Sequence, residues 1–512
     1  MRSTRITALT AAGVLALGGI AACSSSTDTG SAGSTPAPTT SASPAADASS
    51  AAPTSEAADS AIDSATASSS AEPSSSSESS APSDEPVTIT VAGLLPTADD
   101  AAKKQLAERV TAFQEKYPNI TIKTEDYNWL NSTFTTELAG GTLPNVFEIP
   151  LTDGKTLIAN GQLADIDAQV RALPYGNDFN ETLLANGEGS DGKIYAVPAK
   201  SIYAVALHYN RKLFEQAGLD PNKPPTTWDE VRADAKAIHD KTGVAGYGMM
   251  ALDASGGWQL AAGANSRGGV IEKADADGKY TATLNDPAIK EHLEWLKALR
   301  WEDGSLLERA DMGWGEINAA FAGGEVAMYT SGSDVYNALV ESNGVTKDWG
   351  YGLTAIPTSG DSGGALTGGT LAAVRKDSTD AEKDAAVKWI DWWYLSKLQD
   401  QDQAVADAKT RAEADPAQAV GTPVLPIFSE DLYKENLSWI KDYINVPLDD
   451  MTGYTTVMFT QNLVPEAAVA TQDLYNQLFP VVQAVITDKD ADVDALLTKA
   501  NTAGQKAIDA AS

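Results

Sequence analysis

An α/β architecture is the fold class this sequence predicts, and three observations carry it. From Val87 onward, short β-rich runs alternate with segments of helical periodicity, the order that builds a mainly parallel sheet flanked by helices. The folded stretch is roughly 420 residues long, a size that suits one two-lobed protein. The stretch before Val87 has almost nothing from which to build a core.

At the start of the chain, Arg2 and Arg5 precede an apolar segment from Ile6 to Leu17, and Ile20-Ala21-Ala22-Cys23 follows. Basic start, apolar centre and small residues make an export signal over residues 1–22. The apolar run is too short and too rich in glycine and alanine for a spanning helix. Cys23 is the single cysteine, so one chain forms no internal disulfide and no thiolate metal cluster. From Ser24 to Pro86 there is no aromatic residue, lysine or arginine. Such a segment stays disordered, and residues 23–86 read as a tether with a root-mean-square span of about 45 Å. Asp and Glu outnumber Lys and Arg by 70 to 37, a formal charge of -33. That balance argues against nucleic acid as a partner and favours a neutral or cationic ligand.

The folded part opens with VTITVAGL from Val87, then a helix from Asp100 to Tyr117 with Leu106, Val110 and Phe113 on one face, stopped by Pro118. Ile120 to Thr124 is the next strand, Phe134 to Leu138 part of a helix, and LPNVFEIP a strand ending at Glu148. In α/β sheets ligands sit beyond the carboxyl ends of strands. Leu94, Leu95, Glu148 and Asp153 are therefore placed to meet one. Tyr203 to Leu207 is a β-rich run leading through Tyr209-Asn210 into a helix that buries Leu213 and Phe214 and ends at Gly218. Thr226 or Thr227 caps the following helix, whose first turn holds Asp229 and Glu230. Gly246 to Met250 reads as a strand, followed by a loop containing Asp253, Ser255, Gly256, Gly257 and Trp258. Trp258 is either core or a ligand platform on this reading.

Asn285-Asp286-Pro287 opens an amphipathic helix with Leu293, Leu296 and Leu299 on one side. A later helix ends at Gly323-Gly324, and a strand from Glu325 to Tyr329 exits through Thr330 to Asp334. Gly363 to Val374 is a glycine-rich turn entering a strand, without the Gly-Lys-Ser/Thr of a phosphate-binding loop. In the helix from Ala381 to Leu398, Trp389, Trp392 and Trp393 share one side, the pattern of core.

Two blocks are more specific than this element order. YN-x-x-LF-x-x-AGL followed by P-x-TWDE (Tyr209 to Glu230), and F-x-x-G-x-x-A-M (Phe321 to Met328), resemble extracellular solute-binding proteins of ABC sugar transporters, family 1, the maltose-binding-protein-like lipoproteins. The resemblance covers Val87 to the C-terminus. It implies a type II periplasmic-binding-protein-like fold with three inter-lobe crossings, near Ala199 to Tyr203, Lys347 to Tyr351 and Ser396 to Gln401. Lobe 1 is then about 87–201 and 349–396, and lobe 2 about 202–348 and 397–512. IAAC looks like a lipobox, implying cleavage before Cys23 and acylation of its thiol by a palmitate-type chain. In the family Tyr203 matches a cleft-facing position, the Asp253–Trp258 loop supplies sugar contacts, and Gly368, Gly369 and Thr370 mark a cleft edge. Ser333 and Asp334 occupy a turn that often carries a tryptophan, so a maltose-like stack there is put in doubt. Tyr454 is a further contact from the closing helices.

The ligand-binding set expected is thus Glu148, Asp153, Tyr203, Asp253, Trp258, Ser333, Asp334, Gly368, Gly369, Thr370 and Tyr454, with no metal and no cofactor. The resemblance implies a monomeric receptor, lipid-anchored on the extracytoplasmic face of the cell membrane, that hands a mono- or oligosaccharide to ABC permease subunits. A sugar phosphate would need a basic cluster, and Arg267 alone is insufficient. No HExxH or G-x-S-x-G pattern is present, and His208, His239 and His292 have no close carboxylate partner in sequence. The alternative class is a surface-anchored glycoside hydrolase, which needs only two carboxyl groups about 5–10 Å apart. A passive adhesin would lack the cleft.

Overall fold

The computed structural model describes residues 85–94, 100–129, 131–275, 278–360 and 362–511. The export signal, Cys23, the tether as far as residue 84, and Leu95 lie outside these residues. Among the described residues no helix is long and apolar enough to cross a membrane.

The first strands are β1 (Val87–Ala92), β2 (Ile120–Glu125), β3 (Val146–Pro150), β4 (Ala196–Asn210) and β5 (Ala245–Tyr247). A small antiparallel hairpin, β6 (Glu272–Ala274) with β7 (Tyr280–Ala282), stands apart. Then come β8 (Val326–Gly332), β9 (Tyr351–Ala355), β10 (Ala365–Val374) and β11 (Leu463–Pro465). The main sheet runs β2-β1-β3-β10-β4-β8-β5, with β11 on β10 and β9 on β4. Parallel pairs occupy the flanks (β1 with β2 and β3, β5 with β8), while the central pairs of β4 and β10 are antiparallel. The sheet is therefore mixed where a mainly parallel one was expected, because the chain returns through its own centre.

That centre is β4. Its first half pairs with β10 from Ala196 to Ala204, and its second half pairs with β8 and β9 from Val205 to Asn210. Between Ala199 and Ile202 the register against β10 slips, leaving Lys200 and Ser201 as an insertion, with Lys200 at φ 59°. A bulge of this kind bends a strand and raises its twist, so one strand serves two sheet halves of different orientation. β9 remains with the second half, and the chain returns only along β10. The crossing expected at Lys347–Tyr351 is thus displaced: Lys347–Trp349 is a short 3₁₀ turn, and Tyr351 is a buried strand residue whose hydroxyl meets His208 at 2.6 Å.

Local signals in the sequence mostly act as physics dictates. Asn210 caps the Arg211–Ala217 helix, and Gly218 ends it in the left-handed region at φ 81°. Thr227 and Glu230 form a reciprocal capping box on the Trp228–Thr242 helix. Trp389 and Trp392 are core, and Trp393 stacks on Trp389 at 5.5 Å. The helix bearing them stops at Ile390 and continues as one π-helical turn, Asp391–Leu395, then Ser396–Gln399. The stretch from Asp253 to Trp258, expected as a loop, forms the first turns of a helix, Asp253–Asn265. Its two glycines exist for close approach: a Cβ on Gly257 would stand 2.0 Å from the Tyr475 carbonyl oxygen, so this helix lies directly on the Thr471–Thr487 helix. Gly257→Ala should therefore destabilise the unliganded protein by about 1–3 kcal/mol, the range for overpacking. Urea denaturation measures this, and an unchanged midpoint would contradict the packing.

Candidate functional site

The site is assembled around a gap in the sheet. On the side of β10 away from β4, β11 covers it as far as Thr367 and β3 resumes at Thr370. Gly368 and Gly369 lie between, and on their other side they pair with Tyr203 and Ile202. Tyr203 fits only because its neighbours lack side chains: a Cβ on Gly368 would be 2.4 Å from its hydroxyl, and one on Gly332 would be 2.9 Å from its ring. The Trp258 ring meets Tyr203 edge-on, with centroids 6.3 Å apart.

Carboxyl groups surround this aromatic pair. Glu466 follows β11 directly and accepts a hydrogen bond from the Tyr475 hydroxyl at 2.9 Å. Burial pushes its carboxyl up to about 7; the Tyr475 bond opposes the shift, the facing Asp153 adds to it, and the Trp258 side chain again opposes it. Asp153, in the first turn of Leu151–Ala159, is pushed up to about 6 by burial, against the bond from Thr152 and the adjacent Trp129 side chain. Asp334 is likewise raised by burial, with Ser201 and Lys200 working the other way. Burial, then Glu466 and Asp334, hold the Tyr203 hydroxyl well above its ordinary range. The gap is thus an aromatic floor ringed by carboxyls that resist ionisation. Such groups both donate and accept hydrogen bonds when protonated.

The expected residues separate into three groups. Asp153, Tyr203, Trp258, Asp334, Gly368 and Gly369 come together here, with Thr370 at the β3 end of the gap. Asp253 lies on the same edge at the start of its helix, exposed, at φ 51°, and it accepts from the Ser255 amide at 2.8 Å. Strained backbone at such a place is characteristic of functional sites. Three others are corrected. Tyr454 is completely buried, and Ser333 is too, directly beneath the surface next to Tyr454. Glu148 is consumed by the crossing: it accepts from Tyr394 at 2.7 Å and from Lys200 at 2.8 Å. Trp129, Glu466 and Tyr475 were not foreseen. Trp129 lies just past the carboxyl end of β2, where the strand-end rule that selected Asp153 would have found it.

The cations that could meet an anionic ligand are occupied. Arg267 stacks over Trp228 at 4.6 Å and contacts His292 at 2.7 Å, deep in the core. His208 is buried between Tyr351 and the Ser331 carbonyl, and its pKa is lowered to about 4 by that burial. Among the described residues no group of His, Cys, Asp and Glu is placed to hold a metal.

Residues 108–411 match the family described as bacterial extracellular solute-binding protein. This chain belongs to that family. The solute-binding protein is 27% identical over 294 residues to the diacetylchitobiose binding protein DasA of Streptomyces coelicolor, covering 57% of this chain and 66% of DasA. It is 29% identical over 215 residues to the sn-glycerol-3-phosphate-binding periplasmic protein UgpB of Brucella melitensis, 41% of this chain and 47% of that one. The chain therefore matches just under two thirds of DasA and about half of UgpB. Its fold is that of an ABC transporter solute binding protein from Thermotoga lettingae crystallised with α-D-tagatose, with a TM-score of 0.65, 18% identity, and coverage of 82% of this chain and 99% of that one. The two-lobed type II fold expected of this solute-binding protein is thereby established.

Glu466 offers a direct test of the cleft electrostatics. A carboxyl raised from 4.5 to about 7 on folding stabilises fully below its unfolded value, and that contribution is lost as pH rises through about 7. Glu466→Gln cannot ionise. Its melting temperature relative to the parent should be more favourable at about pH 8 than at about pH 5, by calorimetry without ligand; equal differences at both would mean that Glu466 ionises freely.

Proposed function

We propose that this solute-binding protein is the receptor of an ABC importer, capturing a carbohydrate in the Tyr203–Trp258 cleft and delivering it to membrane permease subunits. The observation that carries the reading is the pairing of aromatic faces with Asp153, Asp334 and Glu466 around one gap. Sugar rings present apolar CH faces to aromatic residues and hydroxyls to carboxyls, and such sites combine an apolar lining with a few fixed polar groups. The diacetylchitobiose of DasA and the tagatose of the Thermotoga protein are carbohydrates, in keeping with this chemistry. A glycerol phosphate, as named for UgpB, would want a free cation, whereas Lys200 is bonded to Glu148 and Arg267 is buried. The lipobox-like sequence at Cys23 supports a lipid anchor outside the cytoplasm, with the tether as spacer.

A glycoside hydrolase would use the same carboxyls but needs their pKa values driven apart, one protonated as acid and one ionised. Asp153 and Glu466 are both pushed upward, so neither is held ionised as a nucleophile. Binding without turnover fits better, and recovery of cleaved oligosaccharide after long incubation would reverse that choice.

Screening thermal stability against a sugar panel identifies a ligand, which at 100 times its dissociation constant stabilises by about 2.7 kcal/mol. With that sugar, Trp258→Ala should weaken binding by roughly 1–3 kcal/mol, and Asp334→Ala by about 1–3 kcal/mol through an unpaired hydroxyl. Titration calorimetry on variants of parental unliganded stability decides it; unchanged affinity in both removes this site. Cys23→Ala should abolish labelling by a palmitate analogue in cells, and full labelling would end the anchor assignment.

A further inference from the structure

Trp314 is the most exposed large apolar residue among those described, at 47%, and Leu252 follows at 41%. The two lie side by side: the Leu252 amide donates to the Met312 carbonyl at 3.1 Å, and a Cβ on Gly313 would stand 3.6 Å from an Asp253 carboxyl oxygen. Lone exposed apolar residues need no account, but an adjacent pair beside a ligand cleft does. The register of the second half-sheet explains where they are. β8 ends at Gly332, leading into Asp334; β5 ends at Tyr247, leading into Leu252, Asp253 and Trp258; and Leu306 bridges Tyr247 in parallel, leading into Met312 to Trp314. All three segments run the same way, so all three finish on one edge, beyond which ligands sit.

β4, β8, β5 and the Leu306 segment are successive neighbours, and three steps of about 4.8 Å place Trp314 about 14 Å along that edge from Tyr203. Asp334, then Trp258 and Asp253, stand between. An edge of that length is longer than one pyranose ring. Gly313 is fixed by its amide donating to the Glu316 carboxylate at 3.0 Å, which anchors the start of the Trp314–Ala322 helix while the indole stays in solvent.

We propose that Trp314, with Leu252, is an outer stacking platform that sets a preference for an extended oligosaccharide over a single sugar. The proposal rests on the carbohydrate reading above and deepens it. The full-length protein is titrated with chito- and malto-oligosaccharides of one to six units, alongside Trp314→Ala and Trp314→Tyr. In the parent, affinity for the preferred series should rise with length through at least three units. Trp314→Ala should lose about tenfold for the longer members, which is about 1.4 kcal/mol, and nothing for the shortest member that binds. Trp314→Tyr should recover most of the loss. Equal loss at every length, or an unchanged length dependence, overturns the platform while leaving the carbohydrate reading intact. If no member of either series binds the parent, the carbohydrate reading falls and the platform with it. Loss of uptake in cells with an unchanged length dependence in vitro assigns Trp314 to a transporter contact instead, and also overturns it.

Discussion

Everything in this fold depends on β4 being shared. A strand that supplies hydrogen bonds to two half-sheets must bend between them, and the Lys200–Ser201 insertion is where it does so. The strained Lys200 backbone is held in place by its own side chain, bonded to Glu148 on β3, which in turn accepts from Tyr394 in the π-helical turn. The first-half strand, the shared strand and the later passage between the halves are thus tied to one carboxylate. Glu148 matters because it fixes the geometry from which the cleft is built, and its chemistry is spent there.

Immediately beyond the bend comes Tyr203, whose position illustrates how absence of side chains makes a site. Gly332 and Gly368, on the two strands beside it, leave room for the ring. The uncovered stretch of β10 then presents Gly368 and Gly369 to the gap. Asp153 reaches it from the end of β3, and Glu466 from the end of β11. Burial raises both carboxyls, and mutual repulsion contributes to the Glu466 shift. An acidic exterior and a set of interior acids that hold their protons are different things, and only the second describes the cleft.

The alternation of strands and helices, the Asn210 and Thr227 caps and the tryptophan core were all legible in the sequence, because each depends on residues near one another along the chain. Tyr203, Trp258 and Asp334 were legible through motif resemblance. What escaped was set by distant partners. Asp253 to Trp258, rich in glycine, looked like a loop, yet those glycines are demanded by the Tyr475 backbone more than two hundred residues away. Glu466 follows a strand of only three residues, too short to show a period. Tyr454 and Ser333 carry polar groups that ordinarily signal a surface, but the strands and helices folded over them leave no access. The mixed sheet was hidden for the same reason: strand direction depends on which strand a chain returns beside, and local pattern does not contain that.

The contact between Gly257 and Tyr475 also constrains the order in which this chain can finish folding. The first half-sheet lacks its central neighbour until β10 has been made, and the second half lacks the helix on which Asp253–Asn265 rests until residues 471–487 are present. A chain that emerges from its N-terminus therefore has most of its apolar surface in hand before either half can close. Long-range pairing of this kind folds slowly and leaves unpaired strand edges open in the meantime. Completion falls to roughly the last tenth of the polypeptide, so truncation there would leave both the cleft and its supporting core unfinished.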